Sequence, residues 1–306
     1  MEAELIQWLR EQLTHPDALC LQDDAALLRA PHSVVTTDTL LEGTHFQRTS
    51  ATWAEVGHKA LAVNLSDLAA MAARPQGAVL SLALPRRQAG DIARQLIAGM
   101  LTLANRFGLA LVGGDTNTWD GPLAVTVTAW GDPLYGPLRR NGGQPGDSIV
   151  VTGPLGGSLL GRHLSFMPRV AEALELARRY DLHAGMDISD GLLLDLSRMA
   201  EASGCGAELE LSAVPIHPDA QRRSAQSAQS GQSPLDHALA DGEDFELLLA
   251  LPPREAQRLL RDESPALRDL SLAVVGRLTT EPGLAHRVNG QLTPLAVRGY
   301  QHRELT

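Results

Sequence analysis

Strand patterns and helix patterns alternate along both halves of this chain, and that alternation restricts the fold more than any other feature. Residues 122–131 alternate in the manner of a half-buried strand and are rich in β-branched side chains. Residues 54–73 have the apolar spacing of a long helix. Further strand patterns occupy 33–38, 77–84, 109–116, 148–153, 207–212 and 244–252, and further helix patterns occupy 1–12 and 88–106. This mixed order predicts α/β or α+β architecture.

The chain is long enough for two domains, and one segment has the composition of a boundary. A length of 306 residues fits two domains. Glycine, proline and charged residues cluster in 132–147, so we predict an N-terminal domain over 1–138 and a C-terminal domain over 139–306. Residues 219–233 are rich in serine, glutamine and alanine, which predicts a mobile surface loop.

The charged residues exclude two common kinds of site. A net charge of -10 argues against a general nucleic-acid binder, which needs a basic stripe. Lysine and arginine together number 26 and Lys59 is the only lysine, so the other 25 are arginines. A P-loop needs the pattern G-x-x-x-x-G-K-[ST], and Lys59 follows no such loop. A Walker-type phosphate site is therefore excluded.

The cysteines and the hydropathy pattern indicate a compartment. Cys20 and Cys205 have no zinc-type spacing and are too few for a disulfide framework, which favours a reducing cytoplasm. No apolar run approaches the length of a membrane span, and the acidic, amphipathic N-terminus does not resemble a signal peptide. We therefore expect a cytoplasmic protein without a membrane partner.

Acidic residues gather near the predicted strands and helices. Asp38 ends a strand pattern, Asp67 lies within a helix pattern, and Asp115 follows two glycines. Other acidic positions of this kind are Asp23, Asp24, Asp187, Asp190, Glu243, Asp244 and Glu246. Taken singly, most are explained by a turn or by a helix N-cap, as Asp190 is by the apolar helix pattern that follows it.

Taken together, these carboxylates favour a metal site. Several lie beside apolar segments, where an unpaired carboxylate is costly. Oxygen ligands with neighbouring hydroxyls, and without a Cys/His pattern, suit Mg²⁺. Bound cations would also let an acidic protein accept an anionic substrate. His45 is of interest only because it shares a segment with Asp38, since most histidines of this kind are packed or on the surface.

Seven motifs follow one another along the chain. They are "DDAALL", "TTDTLLEGTHF", "KALAVNLSDLAAMAARP", "GGDT", "RRNGGQPGDSIVVTGPLGGS", "MDISDGLLLDL" and "DGEDFELLL". This set closely resembles the thiamine-monophosphate kinase family of the aminoimidazole-ribotide-synthetase-like superfamily. The resemblance extends from about Asp23 to Tyr300, and its specificity comes from the combination of motifs.

The resemblance implies a fold, a reaction and a set of site residues. It implies an N-terminal domain whose strands form a barrel across a homodimer, joined to a C-terminal α/β domain. It also implies transfer of the γ-phosphoryl group of ATP to thiamine monophosphate with several Mg²⁺ ions. The implied metal positions are Asp24, Thr36, Thr37, Asp38, Asp67, Asp115, Asp187 and Asp190. The implied ATP contacts are Gly114, Asp115, Arg140 and Ser189, and the implied thiamine contacts are His45, Glu243 and Tyr300.

Three positions depart from the family pattern. Gln22 and Asp241 stand where the family usually has glycine, and Asn141 stands where serine is common. These departures leave every implied ligand in place, and they leave the geometry of the loops open.

Other functions remain as alternatives to the kinase. A selenophosphate-synthetase-like or hydrogenase-maturation-like enzyme would need a reactive cysteine near a terminus, and Cys20 lacks a glycine-rich context. An aminoimidazole-ribotide synthetase would have different substrate motifs in the N-terminal half. A non-catalytic, metal-dependent nucleotide-binding module would bind ATP without turnover.

Overall fold

Helices and strands alternate through the computed structural model, which describes residues 26–29, 32–226 and 231–301. The predicted helix over 1–12, both aspartates Asp23 and Asp24, and the positions Cys20 and Gln22 lie outside these ranges. The first half contains β1 (Ala26–Arg29), β2 (His32–Leu41), α1 (Trp53–Ala70), β3 (Arg74–Pro85), α2 (Ala89–Phe107), β4 (Ala110–Trp119) and β5 (Ala124–Asp132). The second half contains β6 (Ser148–Val151), α3 (Val170–Arg179), β7 (Ala184–Asp187), α4 (Leu192–Ala202), β8 (Gly206–Leu209), α5 (Pro218–Gln226), α6 (Pro234–Ala240), β9 (Leu247–Leu251), α7 (Pro253–Leu259), β10 (Ala273–Thr279), β11 (Gly283–Val288) and β12 (Gln291–Pro294).

The strands form two sheets, one in each half of the chain. The first sheet has the order β1-β2-β5-β3-β4, and the second has the order β12-β11-β8-β10-β6-β9-β7. Neighbouring strands are antiparallel except for the pairs β3–β4 and β8–β11. The mixed α/β, two-domain architecture expected from the sequence is confirmed.

Helix α1 lies between the two halves. Its first turn is closed by a capping box, in which the Glu55 amide donates to the Thr52 hydroxyl and the Thr52 amide donates to the Glu55 carboxylate. Apolar residues surround the helix on every side, and 13 of its 18 residues are buried. It contacts β2 and β5 of the first sheet, α2 beside it, and α3, β7 and β9 of the second half. A helix that is apolar all round belongs in the core of a protein.

Helices α1 and α2 approach each other closely through two glycines. A Cβ atom at Gly57 would overlap the carbonyl group of Leu96, and one at Gly99 would overlap the carbonyl group of Ala54. The backbones are therefore in direct contact at both points, which seats α1 firmly on its neighbour.

One sequence prediction about the fold is wrong. Residues 219–233 were expected to form a mobile loop, but residues 218–226 form helix α5 and Ser233 caps helix α6. Pro218 begins α5, Asp219 lies in its first turn, and Ala220 is buried against the rest of the protein. Polar composition does not exclude a helix, because arginine, glutamine and alanine all have good helix propensity. No helix in the described part of the chain has the length and apolar character needed to cross a bilayer.

Replacing Gly57 by alanine is expected to lower the free energy of unfolding by about 1–3 kcal/mol, because the added methyl group must push the two helices apart. Urea unfolding followed by circular dichroism measures the change. The matched control is Gly90→Ala in α2, where the nearest atom to an added Cβ is 3.6 Å away on the flexible Arg94 side chain. This control should keep or slightly raise the stability, since alanine favours a helix. Equal stabilities of the two variants would contradict the close contact.

Candidate active site

Strand β2 directs alternate side chains to opposite faces of the first sheet. Thr36 is buried and Asp38 is half-buried on the inner face, which packs against α1. The Thr36 hydroxyl donates a hydrogen bond to the Asp67 carboxylate. Thr37 points the other way, and its hydroxyl lies 2.9 Å from the Thr128 hydroxyl on β5. The structure thus brings Thr36 to Asp67 and places Thr37 on the outer face.

Two consecutive residues of α1 connect the two sheets. Asp67 accepts the hydrogen bond from Thr36 on β2, and the Ser66 hydroxyl donates to Asp187 Oδ2 at 2.5 Å. Asp187 is the buried last residue of β7. Adjacent residues of a helix point about 100° apart, so one helix can face a strand of each sheet. We call Thr36, Ser66, Asp67 and Asp187 the carboxylate junction.

The loop after β7 holds Asp190 and Ser189 beside the carboxylate junction. Asp190 Oδ2 accepts a hydrogen bond from Arg198 at 2.5 Å. The buried Asp195 accepts the backbone N–H groups of Asp190 and Gly191 at 2.9 and 3.1 Å. Burial, together with the nearby charge of Asp190, raises the pKa of Asp195 to about 7. Asp195 and Arg198 therefore shape this loop, although the sequence motif alone did not single them out.

A second polar group lies earlier on α1. The Lys59 ammonium donates to the His45 carbonyl oxygen at 2.8 Å and to both carboxylate oxygens of Glu243 at 2.7 Å. His163 Nδ1 lies 2.8 Å from Lys59 Nζ and 2.8 Å from Glu243 Oε2. We call Lys59, Glu243, His163 and the carbonyl of His45 the lysine junction. It joins two of the three residues implied to contact thiamine.

The lysine junction is an ion pair in an almost dry environment. Lys59 has a relative exposure of 0%. Burial lowers the pKa of Lys59, and the charge of Glu243 partly opposes that change. Burial alone would raise the pKa of Glu243, but the hydrogen bond from His163 and the charge of Lys59 hold the pKa below its ordinary value. Glu243 is therefore a carboxylate at neutral pH.

The remaining implied contacts fall into two groups. Ser189 and Tyr300 border the loop after β7: the Ser189 carbonyl accepts the Glu243 amide at 2.6 Å, and the Tyr300 amide donates to the Asp190 carbonyl at 2.8 Å. Arg140 opens a short 3₁₀ turn, and its charge acts on the pKa of Asp195.

Gly114 and Asp115 lie elsewhere, on the exposed edge strand β4. Asp115 pairs in register with Ser81, which places it on the same outer face of the sheet as Thr37. The Asp115 carboxylate accepts a hydrogen bond from the side-chain amide of Asn117 at 2.7 Å. Within one chain, the implied site residues are thus divided between the inner and outer faces of the first sheet.

Sequence reasoning missed several residues that hold the site together. Lys59 was considered only as a P-loop lysine, and Ser66 and His163 were not singled out. Ser66 could have been found from its place directly before Asp67. The partner of His163 could not have been found in this way, because Glu243 lies 80 residues further along the sequence.

The loop that carries Glu243 is anchored by a buried ionic network. Arg162 donates to Asp244 Oδ1 at 2.8 Å, and the Gly156 amide donates to both oxygens of Asp244. Asp241, which replaces a family glycine, has an ordinary helical φ of -69° and accepts the Gly157 amide at 3.0 Å. The next residue, Gly242, has φ of +75°, which favours glycine. The departure at 241 therefore adds an anchor at a position that does not require glycine.

The donor atoms of the carboxylate junction are suited to Mg²⁺. Thr36, Ser66, Asp67 and Asp187 offer only oxygen, the ligand type that hard cations prefer. Among the residues described here, no three His, Cys, Asp or Glu side chains meet in metal-binding geometry. Mg²⁺ in phosphate-transfer sites commonly uses one or two carboxylates with waters and substrate phosphates. Pairs of carboxylates beside hydroxyls therefore fit this metal.

The stability of the Glu243 loop should depend on pH through Asp244. Burial raises the pKa of Asp244 to about 7, although the charge of Arg162 opposes the shift. Between about pH 4 and pH 7 the folded protein keeps a proton on Asp244 that the unfolded chain releases. The contribution of Asp244 to the free energy of unfolding therefore falls as pH rises through that range. The free energy of unfolding of the wild type, relative to Asp244→Asn, should fall by about 2 kcal/mol between pH 5 and pH 7.

Urea titrations at several pH values measure this difference. The matched control is Asp120→Asn, because Asp120 is 81% exposed and pairs only with Arg86 among the contacts described. Its difference from the wild type should not change with pH over this range. A pH-independent difference for Asp244→Asn would show that burial does not shift this carboxyl.

Both halves of the chain match models of one protein family. Residues 22–132 match the AIR synthase related protein N-terminal domain, and residues 156–289 match the AIR synthase related protein C-terminal domain. The thiamine-monophosphate kinase of Rhodopirellula baltica is 39% identical over 320 aligned residues, which cover 99% of this chain and 98% of the relative. The thiamine-monophosphate kinase of Escherichia coli K12 is 34% identical over 93% of this chain and 91% of its own length.

A solved structure has the same architecture. The ThiL protein complexed with AMPPCP and TMP superposes with a TM-score of 0.79 at 26% identity, over 98% of this chain and 96% of that one. The two family models cover the first sheet, strands β7 to β11 of the second sheet and every residue of both junctions. On these grounds the chain belongs to the thiamine-monophosphate kinase family of AIR synthase related proteins.

Proposed function

We propose that this protein is an enzyme that transfers the γ-phosphoryl group of ATP to thiamine monophosphate, giving thiamine diphosphate and ADP. The main support is the 39% identity to a thiamine-monophosphate kinase over 99% of the chain. The ThiL structure that holds AMPPCP, an ATP analogue, together with TMP supports the same pair of substrates. This reaction is the final step in the biosynthesis of the cofactor thiamine diphosphate.

The metal positions of the proposal are oxygen ligands around the carboxylate junction and on the outer face of the first sheet. Bound Mg²⁺ would neutralise and align the phosphate groups of both substrates. Asp67 accepts from Thr36 and Asp187 accepts from Ser66 at the carboxylate junction, and Asp38 lies on the same inner face as Thr36. The complete set of proposed metal ligands is Asp24, Thr36, Thr37, Asp38, Asp67, Asp115, Asp187 and Asp190, of which Asp24 lies outside the described residues.

The substrate contacts of the proposal follow the same division of the site. Arg140 would bind nucleotide phosphates, because a guanidinium presents a planar fork of donors. The other proposed ATP contacts are Gly114, Asp115 and Ser189. Glu243 would face the cationic thiazolium of thiamine, with His45 and Tyr300 completing the contacts. The side chain of Glu243 is 22% exposed, which leaves it accessible to a ligand.

Phosphoryl transfer in this proposal is direct. The phosphate of thiamine monophosphate is already ionised at neutral pH, so the reaction needs alignment and charge stabilisation more than a strong base. The carboxylates of Asp67 and Asp187 each accept a hydrogen bond from a hydroxyl, which draws electron density from them and makes them poor nucleophiles. An aspartyl-phosphate intermediate is therefore not part of the scheme.

The division of the site between two faces supports a homodimer. Thr37 and Asp115 lie on the outer face of the first sheet, where Val79 on β3 is 36% exposed and Trp119 on β4 is 46% exposed. An exposed edge strand with apolar side chains needs a partner. We propose that a second copy covers this face and that the two sheets form a barrel, with the domains divided at 138 and 139.

Asp67→Asn should lower turnover by about 100-fold or more, because it removes charge from the carboxylate junction while keeping an acceptor for Thr36. The assay measures ADP release with ATP, Mg²⁺ and thiamine monophosphate. The matched control, Asp120→Asn, alters an exposed surface pair and should leave turnover unchanged.

Three results of this assay would contradict the proposal. Near-normal turnover in Asp67→Asn would exclude the carboxylate junction as the reaction centre. ATP binding without turnover in the wild type would indicate a nucleotide-binding module. Labelled phosphate that remains on the protein when the acceptor is omitted would indicate a covalent intermediate and exclude direct transfer.

Light scattering at micromolar concentration should give twice the chain mass of 32.7 kDa. Val79→Glu should shift the mass towards one chain and lower activity, because a charge on the outer face opposes its burial. The control is Val288→Glu on β11, where the side chain is 43% exposed in the second sheet. A fully active wild-type monomer would contradict the proposed dimer.

A further inference from the structure

We propose that Lys59 is the positioning residue of the thiamine site: its ammonium holds the carboxylate of Glu243 and the backbone of His45 in fixed relative places. The inference rests on the proposed function, because it concerns residues of the same substrate site. Lys59 does not itself reach the opening where the ligand would lie, since its exposure is 0%. It acts through the two residues that do.

The choice of residue supports a geometric role. Lysine and arginine together number 26, and Lys59 is the one lysine, so arginine occupies every other such position of the chain. An ammonium carries three donors around a small tetrahedral centre, whereas a guanidinium is a wide planar fork. Three acceptor oxygens surround Lys59 Nζ: the His45 carbonyl at 2.8 Å and the two Glu243 carboxylate oxygens, each at 2.7 Å. The site matches the three donors of lysine.

The first segment that Lys59 holds is the turn after β2. The His45 amide donates to the Leu41 carbonyl at 2.9 Å, and the Leu41 amide donates to His45 Nδ1 at 2.9 Å. These two bonds set the ring orientation relative to the end of β2. The bond from Lys59 to the His45 carbonyl then ties this turn to α1. The imidazole and the helix are thereby fixed with respect to each other.

The second segment is the loop that carries Glu243. Glu243 has φ of +55°, a left-handed conformation that is uncommon for a residue with a side chain. Such a conformation persists only where the surroundings hold it. The Glu243 amide is held by the Ser189 carbonyl at 2.6 Å, and its carboxylate is held by Lys59 and His163. Without Lys59, the carboxylate would lose the cation that offsets its burial.

The consequence for the substrate is specific. The side chain of Glu243 is 22% exposed, so it can contact a ligand while both of its carboxylate oxygens accept from Lys59. Lys59 thus directs Glu243 towards the cationic part of thiamine monophosphate and keeps it at a set distance from His45. Asp115 lies on the outer face of the first sheet and Arg140 opens the 3₁₀ turn after β5, so neither belongs to the lysine junction. Loss of Lys59 should therefore affect thiamine monophosphate far more than ATP.

Steady-state kinetics of two variants test this role. Lys59→Met removes the charge and keeps a side chain of similar length. Lys59→Arg keeps the charge but replaces the tetrahedral ammonium with a planar guanidinium. Each should raise the KM for thiamine monophosphate about tenfold or more, the size of effect expected when one charge-assisted contact is lost, and change the KM for ATP less than about twofold. Equal effects on both KM values, or a wild-type KM in Lys59→Arg, would overturn the inference.

A stability control separates positioning from folding. Gly57 lies on the same helix, two residues before Lys59. Replacing it by alanine disturbs the packing of α1 against α2 and does not touch Glu243. It should lower stability and leave both KM values near the wild type. If Lys59→Met does not fold, the double variant Lys59→Met/Glu243→Gln removes the unpaired buried charge. This double variant should regain stability and still have a high KM for thiamine monophosphate, and a normal KM would overturn the inference.

Hydrogen exchange tests the positioning without any substrate. In Lys59→Met, or in the double variant, the backbone amides of residues 41–46 and 241–246 should exchange faster than in the wild type. In Gly57→Ala, the protection of these two segments relative to the rest of the protein should be the same as in the wild type. Unchanged exchange in both segments would overturn the inference whatever the protein phosphorylates. A wild type that does not turn over thiamine monophosphate would instead refute the proposed function, and with it the thiamine part of this inference.

Discussion

The burial of α1 between the two sheets is the constraint on which the rest of the structure depends. Its apolar residues fill the core from both sides, but Lys59, Ser66 and Asp67 lie in that same core and must find partners there. Those partners come from both halves of the chain: Thr36 and His45 from the first, Asp187 and Glu243 from the second. The contacts that assemble the domains are therefore the contacts that assemble the site.

Two loops of the second half depend on each other in the same way. The Ile188 amide donates to the Glu246 carbonyl at 2.8 Å, and the Phe245 amide donates to the Ile188 carbonyl at 2.9 Å. Arg169 binds the Glu246 carboxylate through two nitrogens at 2.9 and 2.6 Å, a bidentate geometry that fixes orientation. The loops after β7 and before β9 are thus paired through their backbones. Ser189 and Glu243 are rigidly placed although neither belongs to a regular element.

Most of the architecture could be predicted from local patterns. The strand pattern at 122–131 appears as β5 over Ala124–Asp132, and the helix pattern at 54–73 appears as α1 over Trp53–Ala70. The failure at 219–233 has a physical cause: low complexity describes composition, whereas α5 forms because its residues favour a helix and because Ala220 is buried against the rest of the protein. Asp241 is a second example of a feature that the sequence does not explain. The sequence shows an aspartate where glycine is usual, but it does not show that this carboxylate accepts a hydrogen bond from the Gly157 backbone amide.

The amino-acid sequence is sufficient to predict the class of fold, the oxygen-rich chemistry of the site and the family, because all three depend on residue types and their order. It could not determine which acidic residues meet. The Asp187 carboxylate is bound by Ser66 across 121 positions of sequence, and the Glu243 carboxylate is bound by Lys59 across 184. It also could not separate Thr36 from Thr37, which the two-residue repeat of a strand sends to opposite faces once the sheet has packed on α1. These pairings follow from the packing of the folded chain, because buried charges and hydroxyls bind partners that are close in space, whatever their separation along the chain.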